Sequence, residues 1–176
     1  MVDRALRRDE NLLAPIGHLS APPALRPARD TDSAGLITLI AGVFAEYPGN
    51  VLDTEHEERG LLVPASSYER FWVLEQAGHV VGCIAVATRT PGLRVELKKC
   101  YVHASLRGQG WGRLLIQQVE DYARSVGCQE VELWSDTRFV AGHRAYSGRG
   151  YRRTGAVREL HDLSHSTEWH FWRRLE

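Results

Sequence analysis

The stretch Arg107-Gly108-Gln109-Gly110-Trp111-Gly112, called here the glycine-rich loop, decides how this sequence folds. Three glycines in six residues let the backbone turn tightly and approach a ligand closely. The loop leads directly into a helical pattern, so free N–H groups and the positive end of a helix point at one place. We therefore predict an anion site suited to a phosphate. The stretch matches neither the GxGxxG fingerprint nor the lysine-containing P-loop, and a plain strand-to-helix turn is the alternative.

The residues on both sides of the glycine-rich loop predict a βαβ unit. Upstream, residues 93–97 alternate apolar and charged side chains, which predicts a strand with one buried face. The alternation slips by one residue at Lys98-Lys99 and resumes at residues 100–102, a pattern typical of a β-bulge. Downstream, apolar residues spaced four and three apart predict a long helix that ends at Gly127. Residues 131–134 predict the next strand, parallel to the first.

The rest of the chain predicts antiparallel strands around this unit. The fold class is therefore α/β with a mixed sheet, in which antiparallel N-terminal strands join a βαβ crossover and a final antiparallel strand pair follows. The other predicted elements are a strand at 24–28, a helix after Asp30, a hairpin of the runs 71–74 and 80–87 around Ala77-Gly78, a short helix at 140–147, and strands at 151–160 and 167–174.

Residues 1–23 differ in composition from the rest of the chain. Charged residues crowd residues 3–10, and three prolines follow before residue 24. This composition predicts a loosely ordered N-terminal extension, and an arm that covers a site is the alternative. Residues 24–176 are then predicted to form a single domain, because about 100–200 residues usually make one.

The charge balance excludes several classes of function. The chain has 22 Lys and Arg and 22 Asp and Glu, so its formal net charge is zero. Affinity for nucleic acids or anionic membranes comes from excess positive charge, so we predict neither partner. Cys83, Cys100 and Cys128 form neither a disulfide framework nor a CxxC metal pattern, and no apolar run approaches the roughly 20 residues that span a bilayer. We expect a cytoplasmic protein.

The segment 96–155 resembles the GNAT superfamily of acyl-CoA-dependent N-acyltransferases. That family's signature is Gln or Arg, two residues, Gly, one residue, and Gly or Ala. The chain meets it with Arg107, Gly110 and Gly112. The family also has a bulged strand before the signature and, later, a helical tyrosine followed by a glycine and an aromatic residue. The chain meets that later pattern with Tyr146, Gly150 and Tyr151.

The resemblance covers about residues 24–175, since the order of strands and helices matches as well. It implies an enzyme that uses acetyl-CoA to acetylate a primary amine directly, on a small molecule, a peptide or a protein, and that is a monomer or a homodimer. No histidine that activates Cys100 is evident, so a covalent acyl-enzyme is not predicted. The alternative is a non-catalytic acyl-CoA-binding regulatory or sensor domain. A nucleotide-binding module is a poorer interpretation, because no second nucleotide motif is present.

The resemblance also implies which residues bind acetyl-CoA. Main-chain groups of Cys100, Tyr101 and Val102 are expected to hold the pantetheine arm, and one amide there is expected to face the thioester oxygen. The pyrophosphate is expected on the amides of the glycine-rich loop, with Arg113 close behind. The loop residues assigned in this way are Arg107, Gly108, Gln109, Gly110, Trp111 and Gly112.

Two residues are implied to be catalytic. Tyr146 aligns with the tyrosine that protonates the departing thiolate, a role that suits a phenol; a residue that only packs on the sheet is the alternative. Glu96 lies eleven residues before Arg107, at an offset similar to that of a general-base glutamate in some members. A solvated strand glutamate is the alternative, because many members deprotonate the amine through water.

One position departs from the family pattern. Many members place an asparagine that touches the cofactor seven residues before the tyrosine, and here that position is Phe139. Asp136 or Thr137 is the expected substitute for this polar contact.

Four other sets of polar residues receive the simplest interpretation. The histidines and acid of residues 161–170 lack a metal-binding spacing, so no metal is predicted. His143 precedes Tyr146 by three residues, a spacing that puts both on one helix face; a surface histidine is predicted, with support of Tyr146 or of a proton path as the alternative. The acidic run Asp53–Glu58 is predicted to be a solvated helix face, with attraction of a cationic amine as the alternative. Arg149, Arg152 and Arg153 are predicted to lie at a solvated strand end, with a phosphate contact as the alternative.

Overall fold

A seven-stranded sheet carries the described part of the chain, which in this computed structural model is residues 21–176. Its strands are β1 (Ala24–Pro27), β2 (Arg70–Gln76), β3 (His79–Thr90), β4 (Arg94–Val102), β5 (Glu130–Asp136), β6 (Arg152–Glu159) and β7 (Thr167–Arg174). Its α-helices are α1 (Ser33–Phe44), α2 (Pro64–Ser67), α3 (Trp111–Ser125) and α4 (Val140–Ser147). Short 3₁₀ turns occur at Asp30–Asp32, Arg59–Leu61 and Ala104–Leu106. Residues 1–20 of the predicted extension lie outside the described residues.

The sheet order is β1-β2-β3-β4-β5-β7-β6. Neighbours pair antiparallel throughout, except that β4 and β5 are parallel and are joined by the α3 crossover. The predicted mixed α/β sheet is thereby confirmed. The predicted hairpin turn is also present, since Ala77 and Gly78 both have positive φ, 47° and 81°, as a two-residue turn between twisted strands requires.

The sheet buries a separate apolar layer on each face. On one face, α3 packs Leu115 and Ile116 against Val95 and Val131 of the parallel strands. On the other face, α1 packs Leu36 and Ile40 against strands β2 and β3, through residues that include Val73, Cys83 and Ala85. Leu93, predicted to share the buried face of β4, lies instead in the turn before the strand and is 39% exposed.

A β-bulge at Lys99 redirects the second half of β4. Lys98 pairs with Ala85, but Tyr101 pairs with Cys83, so three steps along β4 match two along β3. Lys99 takes up the extra residue with a φ of +55°, in the left-handed region that non-glycine residues seldom occupy. The predicted bulge is confirmed. As a result, Cys100 packs toward the α3 layer while Tyr101 packs toward the α1 layer.

The two parallel strands separate soon after they pair. Their register runs from Arg94 opposite Glu130 to Glu96 opposite Glu132, and within residues 21–176 no further pair joins them. Beyond these residues β4 continues to Val102 and β5 to Asp136. The separation leaves a gap in the middle of the sheet, at the carboxyl ends of the parallel strands.

A buried carboxylate ties α3 to the last strand. Glu120 is fully buried, and its side chain accepts hydrogen bonds from Arg149 and from Arg173, the latter at 2.7 Å. Burial alone would raise the pKa of Glu120, but the two guanidinium groups outweigh it and leave that pKa lowered. Arg149 is therefore a structural partner of Glu120, not the solvated side chain that we predicted.

Candidate functional site

A cavity of about 230 Å³, called here the narrow cavity, occupies the gap between the separated strands. Its walls come from the end of β4, the glycine-rich loop, helix α4 and the end of α1. Seven of the predicted site residues line it: Cys100, Tyr101, Val102, Arg107, Gly108, Gly112 and Tyr146. Gln109, Gly110, Trp111 and Arg113 continue the loop and the first turn of α3 without lining the cavity.

The glycine-rich loop leaves open space in front of its backbone. Gly108 and Gly110 have positive φ, 73° and 89°, and a Cβ added to either would meet no atom within 4 Å. Gly112 differs, because its φ is ordinary and an added Cβ would make only a normal contact, 4.0 Å from Val102 Cγ2. Neither backbone strain nor protein packing therefore explains a glycine at position 112, whereas a ligand that approaches the start of α3 would.

Arg107 is held by the protein itself. Its Nε donates to the Val102 carbonyl at 3.0 Å, and its two terminal nitrogens donate to the Glu46 carboxylate at 2.6 and 2.7 Å. This bidentate pair lowers the pKa of Glu46 and joins the end of α1 to the glycine-rich loop. Sequence reasoning missed Glu46, since no local pattern indicates a partner 61 residues away.

Tyr146 and Cys100 meet inside the narrow cavity. Tyr146 is buried, and its hydroxyl lies close enough to the Cys100 thiol for the two groups to influence each other's pKa. Burial raises the pKa of Cys100 to about 12 and raises the pKa of Tyr146 well above its ordinary value. Both groups therefore keep their protons near neutral pH. A neutral thiol is a poor nucleophile, whereas a neutral phenol can donate its proton.

Phe139 belongs to an aromatic cluster at the boundary of the narrow cavity. Its ring contacts Phe44, Tyr47 and Tyr101, with centroid separations of 5.9, 4.9 and 6.2 Å. Neither Asp136 nor Thr137 lines the narrow cavity, and Ser135 is the polar residue of this segment that does. The Asp136 carboxylate is instead held by Arg138, whose Nε lies 2.9 Å away.

A second cavity of about 670 Å³, called here the wide cavity, lies beyond this aromatic boundary. Tyr101 and Phe139 line both cavities. Two ion pairs contribute to its walls, Glu58 with Lys99 at 2.5 Å and Glu168 with Arg158 at 2.6 Å. The Arg158 guanidinium also lies 4.3 Å from the centre of the Trp134 ring.

The acidic run Asp53–Glu58 is not the solvated helix face that we predicted. The segment forms turns, with the Asp53 carboxylate accepting from the backbone of Glu55 and His56. Glu58 is half-buried at the wall of the wide cavity, where it meets Lys99 of the bulge. The bulge explains this pairing, because it turns Lys99 out of the regular alternation of β4.

Glu96 lies where the pairing of β4 and β5 ends. Its Oε1 is 3.5 Å from Lys98 Nζ, and its register partner on β5 is Glu132. It lines neither the narrow nor the wide cavity. Its assignment as a general base stays a prediction.

His143 is buried, so its predicted surface position is wrong. Its Nε2 lies 3.0 Å from the carbonyl oxygen of Asp136, and its ring packs against Trp169 and Phe171. Burial lowers the pKa of His143, so the ring is neutral near pH 7. The side chain faces the core because α4 packs this face on strand β7.

The remaining polar residues have structural contacts. The Arg153 guanidinium lies 3.6 Å from the centre of the Trp169 ring, a cation–π contact. Within residues 21–176, no group of three or more His, Cys, Asp or Glu side chains is arranged to hold a metal ion. None of the helices in the same residues is both long enough and apolar enough to cross a membrane.

Comparison with known proteins identifies the family of this arrangement. The profile of the acetyltransferase (GNAT) family matches residues 40–160, which is more than half of the chain. The IAA acetyltransferase of Azospirillum brasilense is 34% identical over 134 residues, which cover 76% of this chain and 88% of that protein. The N-acetylaspartate synthetase of Danio rerio is 32% identical over 89 residues, which cover 51% of this chain but only 32% of that protein.

A solved structure agrees with the fold. The GNAT-family acetyltransferase of Staphylococcus aureus Mu50 superposes with a TM-score of 0.73 and covers 88% of this chain and 99% of that one. The two sequences are 18% identical, so this likeness concerns the fold alone.

Proposed function

The chain belongs to the GNAT family of acetyltransferases, and on that premise we propose that it transfers an acetyl group from acetyl-CoA directly to a primary amine. The observation that carries this proposal is the narrow cavity, which extends from the glycine-rich loop to the buried hydroxyl of Tyr146. One end offers N–H groups at the start of a 15-residue helix, and the other offers a protonated phenol.

The acyl donor is proposed to bind along the end of β4. The fit rests on Gly108, Gly110 and Gly112, whose missing side chains leave room that the protein does not fill. The amides of residues 107–112 are proposed to hold the pyrophosphate, with Arg113 adding positive charge. Main-chain groups of Cys100, Tyr101 and Val102 are proposed to hold the pantetheine arm, because these residues line the same cavity.

Tyr146 is proposed to protonate the departing thiolate. In such a transfer the amine nitrogen forms a bond to the acetyl carbon, the carbon–sulfur bond breaks, and sulfur takes up a proton. The raised pKa of Tyr146 keeps this proton on the phenol until sulfur leaves. Cys100 has no proposed chemical role beyond its contact with Tyr146, since its own pKa is raised to about 12.

Glu96 is proposed to accept the proton of the amine. The ammonium form has no lone pair with which to attack, and lysine-type amines titrate near about 10.4. Glu96 lies on β4 four residues before Cys100, and Lys98 is its nearby counter-ion. Transfer of this proton to water is the competing route.

The relatives do not agree on an acceptor. One is called an N-acetylaspartate synthetase and another an IAA acetyltransferase, so their names support only the reaction class proposed for this chain. We further propose a cytoplasmic monomer or homodimer that binds neither nucleic acid nor membranes, supported by zero net charge and the free cysteines Cys83, Cys100 and Cys128. Its domain is proposed to be residues 24–176, with residues 1–23 as an extension.

The direct test measures thiol release and binding on the same sample. Calorimetric titration with acetyl-CoA is expected to show binding at one site, and thiol release is expected to rise on addition of a panel of primary amines. Tight binding with no amine-dependent thiol release would favour a non-catalytic acyl-CoA sensor. Absence of acetyl-CoA binding would reject the proposed function.

A further inference from the structure

The wide cavity adjoins the narrow cavity at two side chains. Tyr101 and Phe139 line both, so a molecule in the wide cavity approaches the narrow one at these rings. This places the wide cavity where an acceptor would enter, a reading that rests on the proposed function. The charged side chains that line the wide cavity would then determine which acceptors bind there.

Two carboxylates, those of Glu58 and Glu168, line the wide cavity together with Tyr101. Glu58 comes from the turn before the second 3₁₀ segment, and Glu168 comes from β7. Burial first, and then the negative charges of Glu58 and Glu168 among others, raise the pKa of Tyr101. Both carboxylates line the same cavity as the Tyr101 ring, although they come from different elements.

Negative charge exceeds positive charge around this cavity. Each lysine and arginine of its lining is already paired: Lys98 with Glu96, Lys99 with Glu58, and Arg158 with Glu168; His161 is the further basic residue of the lining. The remaining lining carboxylates are Glu57, Asp136 and Asp162, and Arg138 behind the wall neutralises Asp136. Counting the partners Glu96 and Arg138, which lie outside the lining, there are six carboxylates against four lysine and arginine groups. Such a surplus attracts a cation and repels an additional carboxylate.

Asn50 gives an independent sign of a ligand in the same cavity. It lines the wide cavity, and both polar atoms of its side chain are buried with no hydrogen-bond partner in the described part of the chain. Buried amides are almost always hydrogen-bonded, so an orphan on a cavity wall calls for a partner that the protein does not supply.

We infer that the wide cavity receives its acceptor as a cation, with Glu58 and Glu168 holding the ammonium group beside Tyr101. The acceptor class is therefore a primary amine with no carboxylate next to its nitrogen. Glu58 and Glu168 bind the amine in this inference, and the transfer of its proton follows afterwards. Each carboxylate can accept further hydrogen bonds from an ammonium group, because a carboxylate accepts about four and each of these two pairs with one basic side chain.

The experiment compares amines that differ only in that carboxylate. Tyramine is tested against tyrosine, and agmatine against arginine, by thiol release with saturating acetyl-CoA. We expect kcat/KM to be at least about 10-fold higher for the amine without the carboxylate in each pair. A ratio near one, or a preference for tyrosine and arginine, would overturn the inference while leaving the acetyltransferase itself established.

Variants of the two glutamates test the residues. Glu58→Gln and Glu168→Gln should each raise KM for tyramine by about 10-fold, as loss of a charge-assisted hydrogen bond predicts, and leave KM for acetyl-CoA within about twofold. Glu55→Gln is the matched control, because Glu55 carries the same charge in the same segment but is exposed and outside the cavity. If both cavity variants behave like this control, Glu58 and Glu168 do not hold the amine.

Folding is checked independently of turnover. Glu58→Gln leaves the mostly buried Lys99 without its partner, so each variant is first titrated with acetyl-CoA. If Glu58→Gln does not fold, Glu168→Gln decides, since Arg158 remains stacked on Trp134. If the parent binds acetyl-CoA and releases thiol with amines of the wider panel but with neither tyramine nor agmatine, this inference fails and the proposed function stands; the absence of thiol release with every amine would reject both.

Discussion

Arg107 holds the carboxylate of Glu46 in a two-pronged ion pair, and the same guanidinium holds the carbonyl of Val102. Three donors of one side chain thus join the end of α1, the end of β4 and the glycine-rich loop. Arg107 was expected from the family signature, but its side chain faces the protein. The proposed contribution of Arg107 to donor binding is therefore to fix the loop and to supply its backbone amide.

Glu46→Gln should therefore weaken acetyl-CoA binding without affecting the fold. The substitution removes the negative charge that pairs with Arg107, so KM for acetyl-CoA should rise several-fold while kcat changes little. Because the pair is about one-third exposed, the free energy of unfolding should fall by at most about 1 kcal/mol. Asp121→Asn, which breaks the exposed Asp121–Arg124 pair, is the matched control and should leave KM unchanged. An unchanged KM in Glu46→Gln would show that the Arg107–Glu46 ion pair has no part in donor binding.

Gly112→Val should lower the affinity for CoA by at least about 10-fold, because the side chain fills space in the narrow cavity that no protein atom uses. Stability should hardly change, since φ is ordinary there and valine exceeds glycine in helix propensity. Gly110→Val is less informative, because its φ of +89° adds strain of its own. Gly127→Ala is the opposite control. Because φ is +75° at Gly127, the free energy of unfolding should fall by about 1–2 kcal/mol while CoA binding persists. Calorimetry and urea unfolding distinguish the two effects, and full CoA affinity in folded Gly112→Val would reject the phosphate-loop assignment.

Tyr146→Phe should lower kcat by about 10²–10⁴-fold, the usual contribution of a positioned proton donor. The ring still packs, so KM for acetyl-CoA should stay nearly constant. Tyr151→Phe removes the hydroxyl of a neighbouring buried ring, 6.0 Å away between centroids, and should leave kcat within about twofold. Near-normal kcat in Tyr146→Phe, with chemistry shown to be rate-limiting, would remove Tyr146 from the mechanism.

Glu96→Gln should lose about 10²-fold in kcat/KM near neutral pH if Glu96 accepts the amine proton. Part of the loss should return at high pH, where the free amine needs no base. Glu159→Gln, on the exposed edge strand β6, is the control and should match the parent at every pH. Equal pH profiles for Glu96→Gln and the parent would assign deprotonation to water or to another residue.

Glu120→Gln should destabilise the fold by about 3–5 kcal/mol, because two guanidinium groups lose their buried partner. The pKa of Glu120 is lowered from 4.5, so its contribution is complete above that value and is lost as pH falls through the folded-state pKa. Urea unfolding of the parent should therefore show decreasing stability below about pH 5. The variant should show a smaller decrease over the same range. A stability equal to that of the parent at pH 7 would contradict this account.

Local patterns were enough to predict most of the fold. The slip at Lys98-Lys99 gave the bulge, and Ala77-Gly78 gave the hairpin, because both are properties of neighbouring residues. The contacts that the sequence did not indicate are long-range ones, such as Arg107 with Glu46 and Glu58 with Lys99. Their partners meet only because the strand order brings separate segments together.

His143 illustrates the same limit. The spacing of three puts His143 on the same helix face as Tyr146, but the short, weakly amphipathic helix does not indicate how deeply that face is buried. In the structure, Trp169 and Phe171 of strand β7 pack against the His143 ring. The roles of Tyr146 and Glu96 were inferred from resemblance, and the structure adds the surroundings in which each would act. It places Tyr146 in the narrow cavity and Glu96 outside both cavities.

Tyr101 and Phe139 form a shared wall between two cavities whose other walls come largely from different segments of the chain. The narrow cavity is built largely from β4, the glycine-rich loop and α4, whereas most of the remaining wide-cavity wall comes from segments 50–68 and 158–168. Replacements in those two segments would change the shape and charge of the wide cavity and would leave the residues that line the narrow cavity unchanged. With the acceptor in the wide cavity, as proposed above, changes confined to those two segments would alter which acceptor binds and leave the proposed donor site unchanged.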